Sequence, residues 1–283
     1  MSVVVSKVST ILGIPELSIP SEWSRVLNAW PRMSIPDDVV EGVTRARASG
    51  LVLSAAATGT FLADLRMALT GPSKSVVVTY EAPDLVAPVV SLIGAVLGDV
   101  AYLADKTLGG PASVVPTGGI DRYEQAWHTD STPWDIPNRW SVLGLLREDP
   151  VLERRATAIL PWYLVAEQLH ADDELPATLR SHLFSWREQY DGLPELHAPI
   201  LGSTPRWFRP ALAALIDDPE RRVAACVAVD LELSRATTWY EAEVSSGRVL
   251  VFDNHAVLHR GPAVQKSSIR TLLRLKVNGM PRQ

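Results

Sequence analysis

The pattern of apolar and polar positions divides the chain into a helical front and a strand-rich rear. Residues 36–70 carry good helix formers, among them Ala55-Ala56-Ala57. Within them Phe61, Leu62, Leu65, Ala68 and Leu69 recur at helical spacing until Gly71-Pro72 ends the segment. Ser75-Val76-Val77-Val78-Thr79-Tyr80 is β-branched and bounded by turn residues, which predicts a buried strand. A helix follows from about Asp84 to Leu97, opened by Pro83-Asp84. The longest apolar run, Leu85 to Leu103, has the look of a membrane span. It contains Pro88, Gly94, Gly98 and Asp99, so a buried helix followed by a turn is the better reading.

From Pro111 short strands separated by Gly, Pro and Asp take over: Ala112 to Val115, Glu124 to Thr129 and Trp140 to Leu146. Residues 161–190 return to helix, with Leu164, Gln168 and Leu169 and then Leu179, Leu183 and Trp186 at helical spacing. A further helix covers Glu220 to Leu233 behind Asp218-Pro219. Trp239 to Val244 alternates and is expected to pair across Ser245-Ser246-Gly247 with Arg248 to Phe252 as a hairpin. Arg270 to Val277 is the last strand. Regular strand–helix alternation is absent, which argues against a doubly wound sheet. The expected fold is α+β with a mainly β core, a distorted, cupin-like jelly-roll with N-terminal and inserted helices. No repeat or long linker interrupts the sequence. One domain is therefore expected over residues 1–283, with 1–110 as helical and strand cover and 111–283 as the jelly-roll core, its helical insert around 161–190.

A chain of 283 residues can bury a full core, and 47% hydrophobic with 21% charged residues is ordinary for a soluble globular protein. The net charge of -5 lacks the basic excess of a sequence-independent nucleic-acid binder. The single cysteine, Cys226, excludes an intrachain disulfide and a cysteine-rich zinc or iron–sulfur site. Met1 to Ile14 has no sustained apolar core, so no signal peptide is expected. Neither a membrane nor a nucleic-acid partner is expected, a reducing cytoplasm fits, and homo-oligomer formation is left open.

The chemistry concentrates in His128-Thr129-Asp130 and, far downstream, His259. Alternation on a strand sends His128 and Asp130 to one face with Thr129 turned away. Two imidazoles and a carboxylate can cover one side of an octahedral iron(II) and leave three positions open. A His-x-Asp pair alone is more often an ordinary structural feature. His259 follows an apolar strand and the turn pair Asp253-Asn254, which suits a third ligand. His255 competes for that role, but no Glu follows it as a zinc-protease helix requires, so it reads as a supporting or surface residue. Arg270 and Arg274 stand four apart on an apolar strand and so share a face, from which planar guanidinium forks could grip a small dicarboxylate. Solvated arginines on an exposed strand edge are the plainer alternative.

Taken together, Ala126-Trp127-His128-Thr129-Asp130-Ser131, Val251-Phe252-Asp253-Asn254 with His259, and Ile269-Arg270-Thr271-Leu272-Leu273-Arg274 resemble the taurine dioxygenase and clavaminate synthase-like superfamily of iron(II)/2-oxoglutarate-dependent oxygenases. The resemblance spans about residues 126 to 277. It implies a double-stranded β-helix, with His128, Asp130 and His259 as iron ligands and Arg270 on the distal carboxylate of 2-oxoglutarate, assisted by Thr157. It implies that Arg274 reaches the primary substrate or the metal-proximal side of the pocket. The cofactors are then iron(II), 2-oxoglutarate as co-substrate and O2. The implied reaction is hydroxylation, desaturation or cyclisation at an unactivated C–H bond of a small polar metabolite, such as an amino acid or a natural-product intermediate, with release of succinate and CO2. A carboxylate at Asp130 leaves no room for a chloride ligand and argues against halogenation. Gln125, Trp127, Trp134 and Trp140 are candidate pocket residues, although tryptophans more often fill cores. Arg206 and Arg209, around Trp207-Phe208, belong to a solvated loop or a lid. A non-catalytic jelly-roll metal-binding protein and a zinc-dependent hydrolase are the alternatives.

Overall fold

The computed structural model describes residues 9–28, 30, 37–48, 56–101, 112–114, 122–123, 125–152, 155–169, 174–186, 195–212, 219–265 and 267–279. Of the segments named above, residues 1–8, 36, 49–55, 102–111, 115, 124, 170–173, 187–190 and 218 lie outside these. The described chain begins with strands β1 (Thr10–Gly13) and β2 (Glu16–Ser18) and helices α1 (Ser21–Asn28), α2 (Asp37–Ala48) and α3 (Ala56–Thr70). Strand β3 (Ser75–Thr79) leads through a 3-10 turn at Pro83–Leu85 into helix α4 (Val86–Leu97). Strands β4 (Ala112–Val114), β5 (Arg122–Tyr123), β6 (Trp140–Arg147) and β7 (Ala156–Pro161) follow. Helices α5 (Trp162–Leu169) and α6 (Glu174–Ser181), strands β8 (Phe184–Trp186) and β9 (Leu196–Ala198) and helix α7 (Pro219–Arg235) come next. The rear consists of β10 (Thr238–Glu243), β11 (Arg248–Asp253), β12 (Val257–Arg260), β13 (Val264–Gln265) and β14 (Thr271–Val277).

Two sheets build the core, a six-stranded one in the order β2-β3-β11-β6-β14-β4 and a four-stranded one in the order β1-β10-β7-β12. Their inner faces meet through Val77, Leu143, Leu145, Leu250, Phe252 and Leu272 from the larger sheet and Ile159, Ala242 and Val257 from the smaller. This is the double-stranded β-helix, the expected jelly-roll. Alternation sends the other set of side chains outward. Val76, Val78, Val142, Val249, Val251, Leu273 and Leu275 pack against α2, α3 and the wholly buried α4. Behind the smaller sheet Ala158, Leu160 and Leu258 meet Val165 and Leu169 of α5 and Val229 of α7. Because both faces are covered, β3 and β11 read as nearly continuous apolar runs. Each fully buried Val, Leu or Ile contributes about 1.5–3 kcal/mol relative to exposure.

The apolar run that resembled a membrane span is α4, lying flat on the larger sheet. A Cβ at Gly144 of β6 would stand 2.5 Å from Val86 Cγ2, so glycine there lets the helix approach the sheet closely. No helix of the described residues is long and apolar enough to cross a membrane.

Three expectations from the sequence need correction. The segment expected as a strand up to Thr129 has no regular strand over 125–129, only an isolated bridge at His128, because Thr129 N–H donates to Trp207 O rather than to a ladder partner. The hairpin between β10 and β11 does not form. β10 pairs with β7 and β1, β11 pairs with β3 and β6, and the turn at Ser245–Gly247 carries the chain from one sheet to the other. The insert expected as helix across 161–190 breaks after Ser181, and Phe184–Trp186 is a short strand paired with β9.

Candidate metal centre

Strand pairing explains why two distant histidines meet. His128 N–H donates to His259 O at 3.1 Å and His259 N–H donates to His128 O at 2.8 Å, which makes them directly opposed residues of a narrow antiparallel bridge. Their side chains therefore leave the backbone on one side, with ring centroids 4.1 Å apart. On β12 the inward alternation that buries Val257 also turns His259 into the space between the sheets. His128, Asp130 and His259 are all buried, and one ligand atom from each lies within 4.8 Å of the others. His255 stands apart from this cluster. Its ring Nε2 meets Pro137 O at 3.0 Å, which suits the supporting role.

The carboxylate is held by an elaborate polar frame. Asn254 accepts the Asp130 N–H at 2.7 Å and donates through Nδ2 to Asp130 O at 3.1 Å and Asn138 O at 3.0 Å. Ser141 Oγ donates to Asp130 Oδ2 at 2.8 Å, and Arg274 Nη1 donates to Asp130 Oδ1 at 3.0 Å. Thr129 is locked on its other side, its Oγ1 accepting Trp207 N–H at 3.0 Å. Buried Arg206 donates to the carbonyls of Thr132, Trp134 and Asp135, which orders the loop after Asp130. Burial pushes its pKa down to about 10, so the guanidinium stays charged near neutrality. Arg206 and Trp207 are thus buried supports rather than parts of a solvated loop, while Arg209 is surface-paired with Asp230 at 3.1 Å.

The donor set fits a divalent ion. His128 Nδ1 lies 2.9 Å from Ala126 O, and donation there leaves Nε2 as the acceptor, met in this structure by Gln125 Nε2, which a metal would displace. His259 Nδ1 is buried without a hydrogen-bond partner, and its Nε2 stops 4.0 Å from Asp130 Oδ2. Both imidazoles are held below their usual pKa, burial being the largest cause in each case. Burial alone would raise the Asp130 pKa, but Arg274, then Lys276 and the two histidines, hold it well below the usual carboxylate range. Two neutral nitrogens and one anionic oxygen, with Phe252 and Phe208 rings beside the histidines, make a dry N,N,O face.

The histidine shifts have a defined sign. An unfolded chain takes up protons near pH 6.5, while the folded imidazoles resist protonation until lower pH, so the unfolded state binds more protons in that window. The metal-free protein is therefore expected to lose stability as pH falls from about 7.5 to about 5.5. The depressed Asp130 pKa adds a further loss only as pH falls below 3.8. Denaturant midpoints across that range test this, and a flat profile would contradict neutral buried histidines.

The other expected site residues divide. Gln125 joins the cluster, its Nε2 3.2 Å from His128 Nε2 and its Oε1 fixed by Gly261 N–H at 3.0 Å. Trp134 is buried beneath Lys276, whose Nζ is 4.9 Å from the ring centre. Trp127 and Trp140 do not join it. Trp127 packs behind the smaller sheet, edge-on to Trp239 and under Arg260, and Trp140 packs against the core beneath the helices. Thr157 is buried on β7, two residues from inward-facing Ile159. Arg270 does not lie on β14. It precedes the strand and a register shift at Thr271/Leu272, buried with Nη2 donating to Arg155 O at 3.2 Å and Val244 O at 3.3 Å. Sequence reading missed Asn138, Ser141, Asn254 and Lys276. Lys276 had a signal, since it stands two residues after Arg274 in an otherwise apolar strand and so shares its face.

No protein-family model matches the sequence, and no curated protein matches it. Solved structures do. An asparagine oxygenase, crystallised with Fe(II), 2S,3S-3-hydroxyasparagine and succinate, superposes with a TM-score of 0.71 at 19% identity over 93% of each chain. The non-heme iron oxygenase OrfP with Fe, succinate and (3S)-hydroxy-L-Arg gives 0.65 at 16% identity, over 93% of this chain and 94% of that one. OrfP with Fe and alpha-ketoglutaric acid gives 0.62 at 14% identity with the same coverage. The fold is that of these non-heme iron oxygenases.

Proposed function

We propose that the protein is an iron(II)- and 2-oxoglutarate-dependent oxygenase that oxidises an unactivated C–H bond of a small polar metabolite of the amino-acid class, most simply by hydroxylation. The convergence of His128, Asp130 and His259 in one buried cluster carries the reading. In the overall balance one atom of O2 enters the substrate and the other enters succinate, with loss of CO2. Iron(II) held by these three residues would supply dioxygen activation.

The chain's own residues then have distinct tasks. His128 and His259 offer neutral nitrogens from a bridge that fixes their spacing, and Asp130 offers the single anionic oxygen. The guanidinium of Arg270, fixed by two backbone carbonyls, takes the far carboxylate of 2-oxoglutarate, and Thr157 lies two residues from one of those carbonyls, Arg155 O. Burial lowers the Arg270 pKa to about 10, still high enough to keep the charge. Arg274 meets Asp130 through Nη1 while its side chain stays partly exposed, and we assign its guanidinium to a substrate carboxylate. We also assign Gln125, beside His128, and Trp134, beneath Lys276, to the substrate side of the site. Charge supports an anionic co-substrate: Arg274 and Lys276 already outweigh Asp130, a dication adds to that surplus, and a dianionic keto acid offsets it. We further propose that residues 1–283 act as one oxygenase domain, working in the cytoplasm.

Succinate formation from 2-oxoglutarate across an amino-acid panel, dependent on iron and O2, tests the reading; zinc-supported hydrolysis without O2 would refute it. The variant Arg270→Leu is expected to raise the 2-oxoglutarate KM about a hundredfold, since a charge-assisted pair contributes about 3 kcal/mol. Iron affinity should stay close to wild type. Equal loss of both would contradict the assigned role of Arg270.

A further inference from the structure

A chain of buried hydrogen bonds runs from Lys276 to the candidate iron carboxylate. Lys276 Nζ donates to Ser131 Oγ at 2.9 Å, and Ser131 Oγ donates to Asn138 Oδ1 at 2.8 Å. Asn138 Nδ2 donates to Ser141 Oγ at 3.0 Å and to Trp140 O at 2.9 Å, and Ser141 Oγ donates to Asp130 Oδ2 at 2.8 Å. An ammonium has only donors and an ionised carboxylate only acceptors, so both ends impose the same direction on every hydroxyl and amide between them. Such one-way chains strengthen cooperatively in a dry interior. All five residues are buried.

Two features show that the chain is not incidental packing. Ser131 adopts φ 57, a left-handed conformation that favours glycine, yet the position carries a hydroxyl that links Lys276 to Asn138. Lys276 places a second cation beside a site that would hold a dication, in addition to Arg274, and electrostatics alone would disfavour it there. Both costs are offset if the pair determines how Asp130 is presented.

We propose that Lys276 and Ser131 are positioning residues for the metal centre: through Asn138 and Ser141 they hold a hydrogen-bond donor on Asp130 Oδ2 and set the carboxylate plane. Neither residue belongs to the ligand set. The inference rests on the iron reading of the site, and the test separates the two.

Co(II) is titrated into the full-length wild type, Ser131→Gly, Lys276→Met, Lys276→Arg and the Ser131→Gly/Lys276→Met double variant, with visible spectra and thermal melts recorded. Wild type is expected to give a saturable Co(II) spectrum; its absence would remove the metal reading itself. Ser131→Gly relieves the backbone but takes a partner from Lys276 Nζ and from Asn138 Oδ1, so the discriminating readout is the spectrum, which a purely structural serine leaves as in wild type whatever the melting temperature. We expect instead Co(II) binding weakened about tenfold, in the range typical of residues that orient a ligand, with altered d–d bands. Lys276→Met should alter the bands in the same sense, Lys276→Arg should restore them, and the double variant should change them no further than the larger single effect. A wild-type spectrum and affinity in folded Ser131→Gly would overturn the proposal, as would additive effects in the double variant. Should Lys276→Met fail to fold, Ser131→Gly and Lys276→Arg decide between the same outcomes.

Discussion

Asp130→Ala is expected to lose iron affinity by well over the roughly 10–100-fold typical of supporting residues, and 2-oxoglutarate turnover with it. The reason extends beyond a missing ligand. Arg274, partly buried, and Lys276, buried, both face Asp130, and its charge compensates theirs. Deleting one member of a buried ion pair leaves the other uncompensated, at about 3–5 kcal/mol. The metal-free variant should therefore melt well below wild type even before iron is added. Metal analysis after dialysis, together with calorimetric melting of both apo proteins, measures the two effects separately. Wild-type iron content in Asp130→Ala would remove the carboxylate from the ligand set.

Asn254→Ala should produce the second-largest change without touching a ligand. The side-chain amide satisfies three buried backbone groups at once: the N–H and C=O of Asp130 and the C=O of Asn138. Leaving a buried polar group unpaired costs about 1–3 kcal/mol each, so a total loss of about 3 kcal/mol or more is expected. For a chain of this size that lowers Tm by roughly 5–10 °C. Asp130 would also lose its fixed backbone, and iron affinity should fall about tenfold or more. Denaturant unfolding and Fe(II) titration check both; a variant within about 1 kcal/mol of wild type would show that the frame is redundant.

How far the site could be read from the sequence follows from what local patterns encode. His128 and Asp130 were legible because alternation places residues two apart on one side, and this survives although 125–129 form only a bridge. Strand status was not legible there, since the Thr129 amide is taken by Trp207, nearly eighty positions away. The β10–β11 turn looked like a hairpin because Ser245-Ser246-Gly247 has hairpin chemistry. What overrode it is that each strand pairs in a different sheet, β10 with β7 and β11 with β6, a matter of long-range pairing rather than of the turn. Leu183 and Trp186 kept helical spacing beyond the point where the helix stops. Asn254 was legible only as a turn residue, because its role depends on facing Asp130 across 124 positions. The tryptophans show the same limit: Trp127 and Trp134 are equally buried neighbours in sequence, yet one lies behind the smaller sheet and the other beside Lys276.

The central claim is that His128, Asp130 and His259 together hold an iron(II) ion that a keto acid can chelate, and anaerobic optical spectroscopy tests it most directly. Adding Fe(II) and 2-oxoglutarate to the protein without oxygen should generate a weak visible charge-transfer band that neither component produces alone and that His259→Ala abolishes. Folded, iron-loaded protein that shows no such band with 2-oxoglutarate would contradict the account.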